Sequence, residues 1–125
     1  MSDQHGTVHW NELMTRDVEK AKAYYASVCG WSFETVPMEE GDYILAKKGD
    51  AIISGMTDLA AMPGMEDVPP HWMTYLAVDD VDAAVKDTQA MGGVIHQAPF
   101  DVPGVGRIAM IADPSGAAIG LMTPS

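Results

Sequence analysis

The sequence predicts an α+β protein built from two β-α-β-β-β modules. Three features of a helix occur twice in the same order: a capping aspartate, an apolar face and a terminal glycine. A single shift along the chain superposes Asp17 on Asp80 and Gly30 on Gly93. Because all three features repeat in register, we interpret the chain as two copies of one unit.

The first module begins with a strand predicted from Val8 to Met14. A helix follows Asp17, whose side chain can cap the first turn, and Gly30 is the expected stop. The apolar residues of this helix recur at helical spacing and are Val18, Ala21, Tyr25 and Val28. Three further strands are predicted over Trp31 to Met38, Asp42 to Lys48 and Ala51 to Thr57.

The second module repeats this order. Its first strand is predicted from His71 to Val78, Asp80 caps its helix, and Gly92-Gly93 ends that helix. The helix face comprises Val81, Ala84, Val85 and Thr88. The last strands are predicted over Val94 to Phe100, Arg107 to Ala112 and Ala117 to Thr123. We predict one domain, with module one at about 7–59, a linker at about 60–70 and module two at about 71–123.

Charge and composition restrict the partners of this protein. The formal net charge is −11, so neither nucleic acid nor an anionic membrane is an expected partner. The first residues carry no apolar signal core, and no apolar run is long enough to span a bilayer, so we expect a cytoplasmic protein. Cys29 is the only cysteine. Its place at the end of a predicted helix favours a buried structural thiol.

The paired modules resemble the vicinal oxygen chelate superfamily, which includes glyoxalases, bleomycin-resistance proteins and extradiol dioxygenases. The resemblance extends from Val8 to Met122. The residues that carry it are Asp17-Val18 with Ala21, Lys22, Tyr24 and Tyr25, then Gly30-Trp31, Val78-Asp79-Asp80-Val81, Gly92-Gly93 and Asp113-Pro114-Ser115-Gly116. It implies curled mixed sheets that form a cup around a ligand.

The resemblance also implies where a metal would bind. Metal-using members place ligands on the first and last strands of each module, and the matching positions here are Trp10, Met73, Gly120 and either Ser54 or Gly55. Indole offers no lone pair, glycine has no side chain, and serine and methionine are poor ligands for a hard divalent cation. We therefore expect no metal and no other cofactor. The alternative is a divalent metal in a displaced site.

Strand alternation predicts which side chains face the cup. Glu12 is the candidate catalytic base, because a partly desolvated carboxylate suits acid/base chemistry; a structural bond to Tyr75 or to backbone is the alternative. His71 is its candidate partner or a displaced metal ligand. We expect Trp72 to be a core residue under the helix. The expected ligand-binding residues are Trp10, Met14, Met56, Met73, Tyr75 and Met122.

Three functions fit these features. The favoured hypothesis is a metal-independent protein that binds a small molecule in an apolar cup. The second is an enzyme of the lyase, isomerase or dioxygenase type that uses Glu12 and His71. The third is an interaction module whose cup is filled. We also expect a homodimer, because curled sheets have open edges that need partners and two-fold dimers are the commonest oligomers.

Overall fold

The computed structural model of the protein describes residues 3–37, 42–62, 64–102 and 105–125. Within those ranges the order of elements confirms the α+β class and both β-α-β-β-β modules. The strands and α-helices are β1 Val8–Thr15, α1 Val18–Cys29, β2 Ser32–Val36, β3 Tyr43–Lys48, β4 Ala51–Asp58, β5 His71–Ala77, α2 Val81–Ala90, β6 Val94–Val102, β7 Gly106–Ala112 and β8 Ala118–Pro124. A short 3₁₀ helix, Leu59–Ala61, follows β4. Met38, predicted in a strand, and Pro63, in the predicted linker, lie outside the described residues.

The chain divides into two compact units. The first unit is Trp10–Trp72, and the second unit combines the described part of Met1–His9 with Met73–Ser125. The amino-terminal segment joins the second unit through backbone hydrogen bonds to the end of β5. Gly6 donates to the Ala77 carbonyl at 2.7 Å, and the Ala77 N–H donates to the Thr7 carbonyl at 2.9 Å. None of the described helices is long and apolar enough to cross a membrane.

The sheet of the first unit has the strand order β2-β3-β4-β1. β1 runs parallel to β4, and the other neighbours are antiparallel. One face of the sheet carries the core residues Leu13, Ile44 and Met56, onto which α1 packs Val18, Ala21 and Tyr25. The Asp17 side chain accepts from the Lys20 N–H at 3.0 Å. Gly30 ends the helix in the left-handed region with φ 72°, a conformation that favours glycine.

The exposed end of α1 corrects two predictions. Val28 is 61% exposed and does not continue the apolar face. Cys29, predicted to be buried, is an exposed free cysteine. α1 has no fully buried residue, because it contacts the sheet mainly through its first half and Tyr25. The last turn therefore projects beyond the core.

The second unit has the strand order β5-β8-β7-β6, with β5 parallel to β8. Its core differs from that of the first unit because its helix contributes fully buried side chains. The buried cluster is Val81, Val85, Ala109, Ile111 and Leu121. The Thr123 hydroxyl accepts from the Val81 N–H at 2.9 Å and donates to the Val78 carbonyl at 3.0 Å. These two bonds hold the start of α2 against β8.

The predicted Asp-Pro-Ser-Gly turn joins β7 to β8. Its aspartate, Asp113, accepts from the Ser115 N–H at 2.8 Å and from the Ala117 N–H at 3.1 Å. The same carboxylate accepts from the Ser115 hydroxyl. These hydrogen bonds stabilise the charged carboxylate and hold the pKa of Asp113 below its ordinary value. The bond from the Ser115 side chain has the largest effect.

The N-cap of α2 can be tested directly. Asp80 accepts from the Ala83 N–H at 3.2 Å, so Asp80→Ala should lower the free energy of unfolding by about 1 kcal/mol. Asp80→Asn is the matched control, since asparagine is an equally good cap and should leave stability nearly unchanged. Urea unfolding followed by circular dichroism measures both variants. Equal stability of the two would contradict the capping role.

Candidate functional site

The candidate site lies on the face of the first unit's sheet that is turned away from α1. Leu13 and Met56 are register partners and both pack beneath the helix. Because side chains alternate along a strand, the preceding pair, Glu12 and Gly55, faces the opposite side. Glu12 is only 8% exposed. A carboxylate so nearly buried requires hydrogen-bond partners.

Tyr43, on β3, provides such a partner and connects Glu12 to Trp10. The Trp10 indole N–H donates to the Tyr43 hydroxyl oxygen at 3.0 Å. The same hydroxyl is hydrogen-bonded to the Glu12 side chain. Since the phenol oxygen accepts from the indole, its own proton is donated to the carboxylate. The three side chains form one directed chain of donors, from indole to phenol to carboxylate.

The environment keeps the Tyr43 hydroxyl protonated. Burial raises its pKa most, and the charge of Glu12 and the hydrogen bond to Glu12 raise it further. The bond from Trp10 acts in the other direction, but the pKa remains far above the ordinary value of 10.0. Tyr43 is therefore a neutral donor, and its bond favours the ionised form of Glu12.

Gly55 provides the space that Tyr43 occupies. A Cβ atom built at Gly55 would overlap the Tyr43 hydroxyl and the ring carbon Cζ. Gly55 lies opposite Leu45 in the β3–β4 register, and Tyr43 is two residues before Leu45 on the same face of β3. Any larger residue at position 55 would displace the ring that holds Glu12.

The second unit repeats this arrangement with different residues. Tyr75 on β5 pairs with Gly120 on β8, as Glu12 on β1 pairs with Gly55 on β4. A Cβ atom built at Gly120 would overlap the Tyr75 ring. Gly55, rather than Ser54, is therefore the residue of the first unit that corresponds in strand register to Gly120. Ser54 instead donates its hydroxyl hydrogen bond to the Asn11 carbonyl at 3.0 Å.

The residues at the positions where the resemblance implies metal ligands do not fit a metal. Trp10 and Met73 supply no hard donor atom, and at Gly55 and Gly120 a tyrosine ring fills the space that a ligating side chain would need. No group of three or more His, Cys, Asp or Glu side chains in the part of the chain that the structure describes could hold a metal ion.

The remaining predicted site residues lie in several surroundings. Met14 shares the Glu12 face of β1 and is 1% exposed; Met73, Tyr75 and Met122 are buried in the second unit. Met56, predicted to line the ligand site, lies instead among Leu13 and Ile44 beneath α1. The β1–β4 register places it on the helix side, so that prediction is wrong. His71 donates from Nδ1 to the Pro69 carbonyl at 2.8 Å.

Aromatic side chains cluster on the α1 side of the first unit. Tyr25 stacks on Trp31 with ring centroids 5.1 Å apart, and Trp72 meets Tyr25 edge-on at 5.7 Å. The Trp72 indole also donates to the Tyr25 hydroxyl at 3.2 Å. Trp72 faces the helix as predicted but is 42% exposed, because α1 covers only part of this side. The prediction that it is a core residue is wrong.

Two shallow grooves lie away from Glu12. The groove of the first unit is lined by Leu13, Thr15, Asp17, Lys20, Ala21, Tyr24 and Tyr25. The groove of the second unit contains Arg107, which bonds to Asp82 at 2.8 Å and to Asp101 at 3.2 Å. Hydrogen bonds to these carboxylates raise the pKa of Arg107 above its ordinary value, so the guanidinium stays charged and paired with the two aspartates. Neither groove includes Trp10 or Tyr43.

Sequence reasoning did not identify Tyr43. Its strand was predicted, yet nothing in the local pattern separates Tyr43 from other aromatic residues at a strand start. The available signal was Gly55, because a glycine inside a strand often marks a close approach by another group. Assigning the approaching group to Tyr43 requires the β3–β4 register.

Paired substitutions test the two tyrosine–glycine contacts. Gly55→Ala should destabilise the protein by about 1–3 kcal/mol through overpacking. Adding Tyr43→Ala should relieve the clash, giving a coupling energy of about 1 kcal/mol or more in a double-mutant cycle. Combining Gly55→Ala with Tyr75→Ala should give no coupling energy. Gly120→Ala should couple with Tyr75→Ala and not with Tyr43→Ala, and urea unfolding measures all of these variants. Additive effects in both matched pairs would contradict the arrangement.

Known proteins resemble this chain in sequence. The protein named "Putative glyoxylase CFP32" of Mycobacterium bovis is 39% identical over 121 residues, covering 96% of this chain and 45% of that protein. Anthracycline biosynthesis protein DnrV of Streptomyces peucetius is 30% identical over 124 residues, covering 90% of this chain and 45% of that protein. The chain spans about half the length of the curated relatives it matches.

Solved structures agree with the fold. Methylmalonyl-CoA epimerase from Mycobacterium tuberculosis matches with a TM-score of 0.63 at 15% identity, covering 100% of this chain and 93% of that one. At so low an identity the match shows the fold alone. Residues 7–121 match the model of the Glyoxalase/Bleomycin resistance protein/Dioxygenase superfamily, and the chain therefore belongs to that superfamily.

Proposed function

We propose that this chain is a metal-independent, small-molecule-binding member of its superfamily. The observation that carries the proposal is the hydrogen-bonded chain of Trp10, Tyr43 and Glu12 on the sheet face away from α1. The hydrogen bond to Tyr43 restrains the half-buried Trp10 indole. A restrained aromatic surface binds a flat ligand with little loss of side-chain entropy.

Metal independence is supported by the packing at the family's metal positions. Tyr43 over Gly55 and Tyr75 over Gly120 take the space in which carboxylate ligands would lie. Placing a ligand at either glycine would first require removal of a tyrosine ring. This arrangement favours a site in which the protein's own side chains, rather than a bound ion, contact the small molecule.

A flat polycyclic aromatic compound is the ligand class that we propose. Trp10 supplies a face for stacking, and Met14, on the same side of β1, supplies an adaptable thioether. One relative is named for anthracycline biosynthesis, and the anthracycline ring system is flat and aromatic. An anthracycline is therefore a suitable first probe.

Catalysis by Glu12 is the second candidate function. The burial of this carboxylate beside a hydrogen-bond donor is an arrangement found in general bases. If a screened compound is converted, Glu12→Gln should abolish its turnover while leaving the fold intact. His71→Gln should then show whether His71 takes part. Unchanged turnover in Glu12→Gln would reject the base role.

We further propose a homodimer that buries the aromatic cluster of the first unit. Tyr24 is 56% exposed and meets Tyr25 edge-on, and Tyr25 in turn contacts the partly exposed Trp72. Val28 follows Tyr25 by three residues on α1, so it lies on the same side of that helix, and it is 61% exposed. Exposed aromatic clusters mark association surfaces. A second copy of this chain is the partner we favour, because two-fold dimers are the commonest oligomers.

Titration with daunorubicin, a fluorescent anthracycline, tests ligand binding. Binding should quench the anthracycline fluorescence, and prior dialysis against EDTA should leave the affinity unchanged. Trp10→Ala should weaken binding at least tenfold, about 1.4 kcal/mol, through loss of the stacking surface. Trp72→Ala is the matched control and should bind like the original protein. Loss of binding after EDTA treatment would contradict metal independence.

Sedimentation equilibrium at micromolar protein tests the dimer. The expected mass is twice the 13.4 kDa of one chain. Val28→Lys should shift the equilibrium to the monomer, because it places a charge in an apolar interface. Met91→Lys is the control, since Met91 is 74% exposed in the second unit and outside the proposed interface. A monomer mass for the unaltered chain would refute the dimer.

A further inference from the structure

We infer that Glu12 makes the proposed site selective for ligands that carry an ammonium group beside an aromatic ring system. This inference rests on the proposed function, since it specifies the chemistry of the ligand bound at Trp10. It assigns Glu12 the role of an anionic binding group, and Tyr43 the role of a residue that positions it.

The direction of the hydrogen bonds favours a negative charge at Glu12. Trp10 can only donate, so the Tyr43 oxygen accepts from it at 3.0 Å. The phenol proton is then directed to Glu12. A carboxyl group that accepts such a bond is favoured in its ionised form. The hydrogen bond from Tyr43 therefore stabilises a negative charge at Glu12 and fixes the orientation of the carboxylate.

The hydrogen bond from Tyr43 does not prevent the Glu12 carboxylate from pairing with a cation. The negative charge of a carboxylate is shared by two oxygens that offer about four acceptor positions. Since Glu12 is 8% exposed, water screens its charge poorly, and an ion pair formed there is stronger than one on the surface. An ammonium group is the small-molecule cation that matches a carboxylate in both charge and hydrogen bonding.

The surroundings favour the same ligand charge. The Trp10 ring, joined to Glu12 through Tyr43, attracts a cation to its face. The chain as a whole has a net charge of −11, which raises the local concentration of cations and repels anions. An aromatic cation can therefore use the indole for its rings and the carboxylate for its ammonium group.

Two probes that differ only at the amine separate this inference from the proposed function. Daunorubicin carries an ammonium group, and N-acetyldaunorubicin carries a neutral amide on the same rings. The unaltered protein should bind daunorubicin at least tenfold more tightly. Glu12→Gln, which keeps the shape of the side chain, should bind the two probes within about twofold of each other. Glu34→Gln removes an exposed carboxylate from β2 and should retain the preference.

A second measurement needs no variant and excludes a general effect of net charge. At about 1 M salt the Debye length falls to about 3 Å, which screens long-range attraction, while a buried contact is screened much less. The preference of the unaltered protein should remain at least fivefold. Three results would overturn the inference: equal binding of both probes, a preference that survives in Glu12→Gln, or a preference that disappears in salt. None of these would contradict ligand binding itself. Failure of both probes to bind overturns the proposed function as well.

Discussion

The candidate site depends on the contact between Tyr43 and Gly55. A side chain at position 55 would overlap the Tyr43 hydroxyl, and that hydroxyl is the link between the Trp10 indole and the Glu12 carboxylate. The absence of one Cβ atom thus allows a polar chain to form on a nearly buried face. A half-satisfied polar network would cost more than an apolar one, so the glycine, the phenol and the carboxylate act as one set.

The two units show how one register can support different chemistry. In each, a residue on the first strand of the module lies opposite a glycine on the last strand, and a tyrosine ring fills the glycine's space. In the second unit that tyrosine is itself the register partner, Tyr75. In the first unit the partner is Glu12 and the tyrosine comes from β3. The first unit therefore has a carboxylate, Glu12, at the register position that Tyr75 occupies in the second unit.

The helices of the two units differ in how they are held. α2 buries Val81 and Val85 in a continuous cluster with β7 and β8, and the Thr123 hydroxyl ties its first turn to β8. α1 buries no residue fully and relies on Tyr25, which stacks on Trp31 and accepts from Trp72. Aromatic contacts at a partly exposed surface replace aliphatic packing. This leaves apolar area exposed on the first unit.

The sequence alone determined the parts of this protein that depend on local chemistry. Asp17, Asp80, Gly30 and the Asp113 turn were predicted correctly because each acts on backbone groups a few residues away. The repeat of these signals predicted the two modules, and the resemblance of the paired modules to a known superfamily implied the rest of the fold. The same reasoning failed for Met56, Trp72 and Cys29, and it did not find Tyr43. Their surroundings depend on strand register and on how far α1 extends over the sheet. Those are set by contacts between residues distant in sequence, and a one-residue change in register would turn each strand's side chains to the other face.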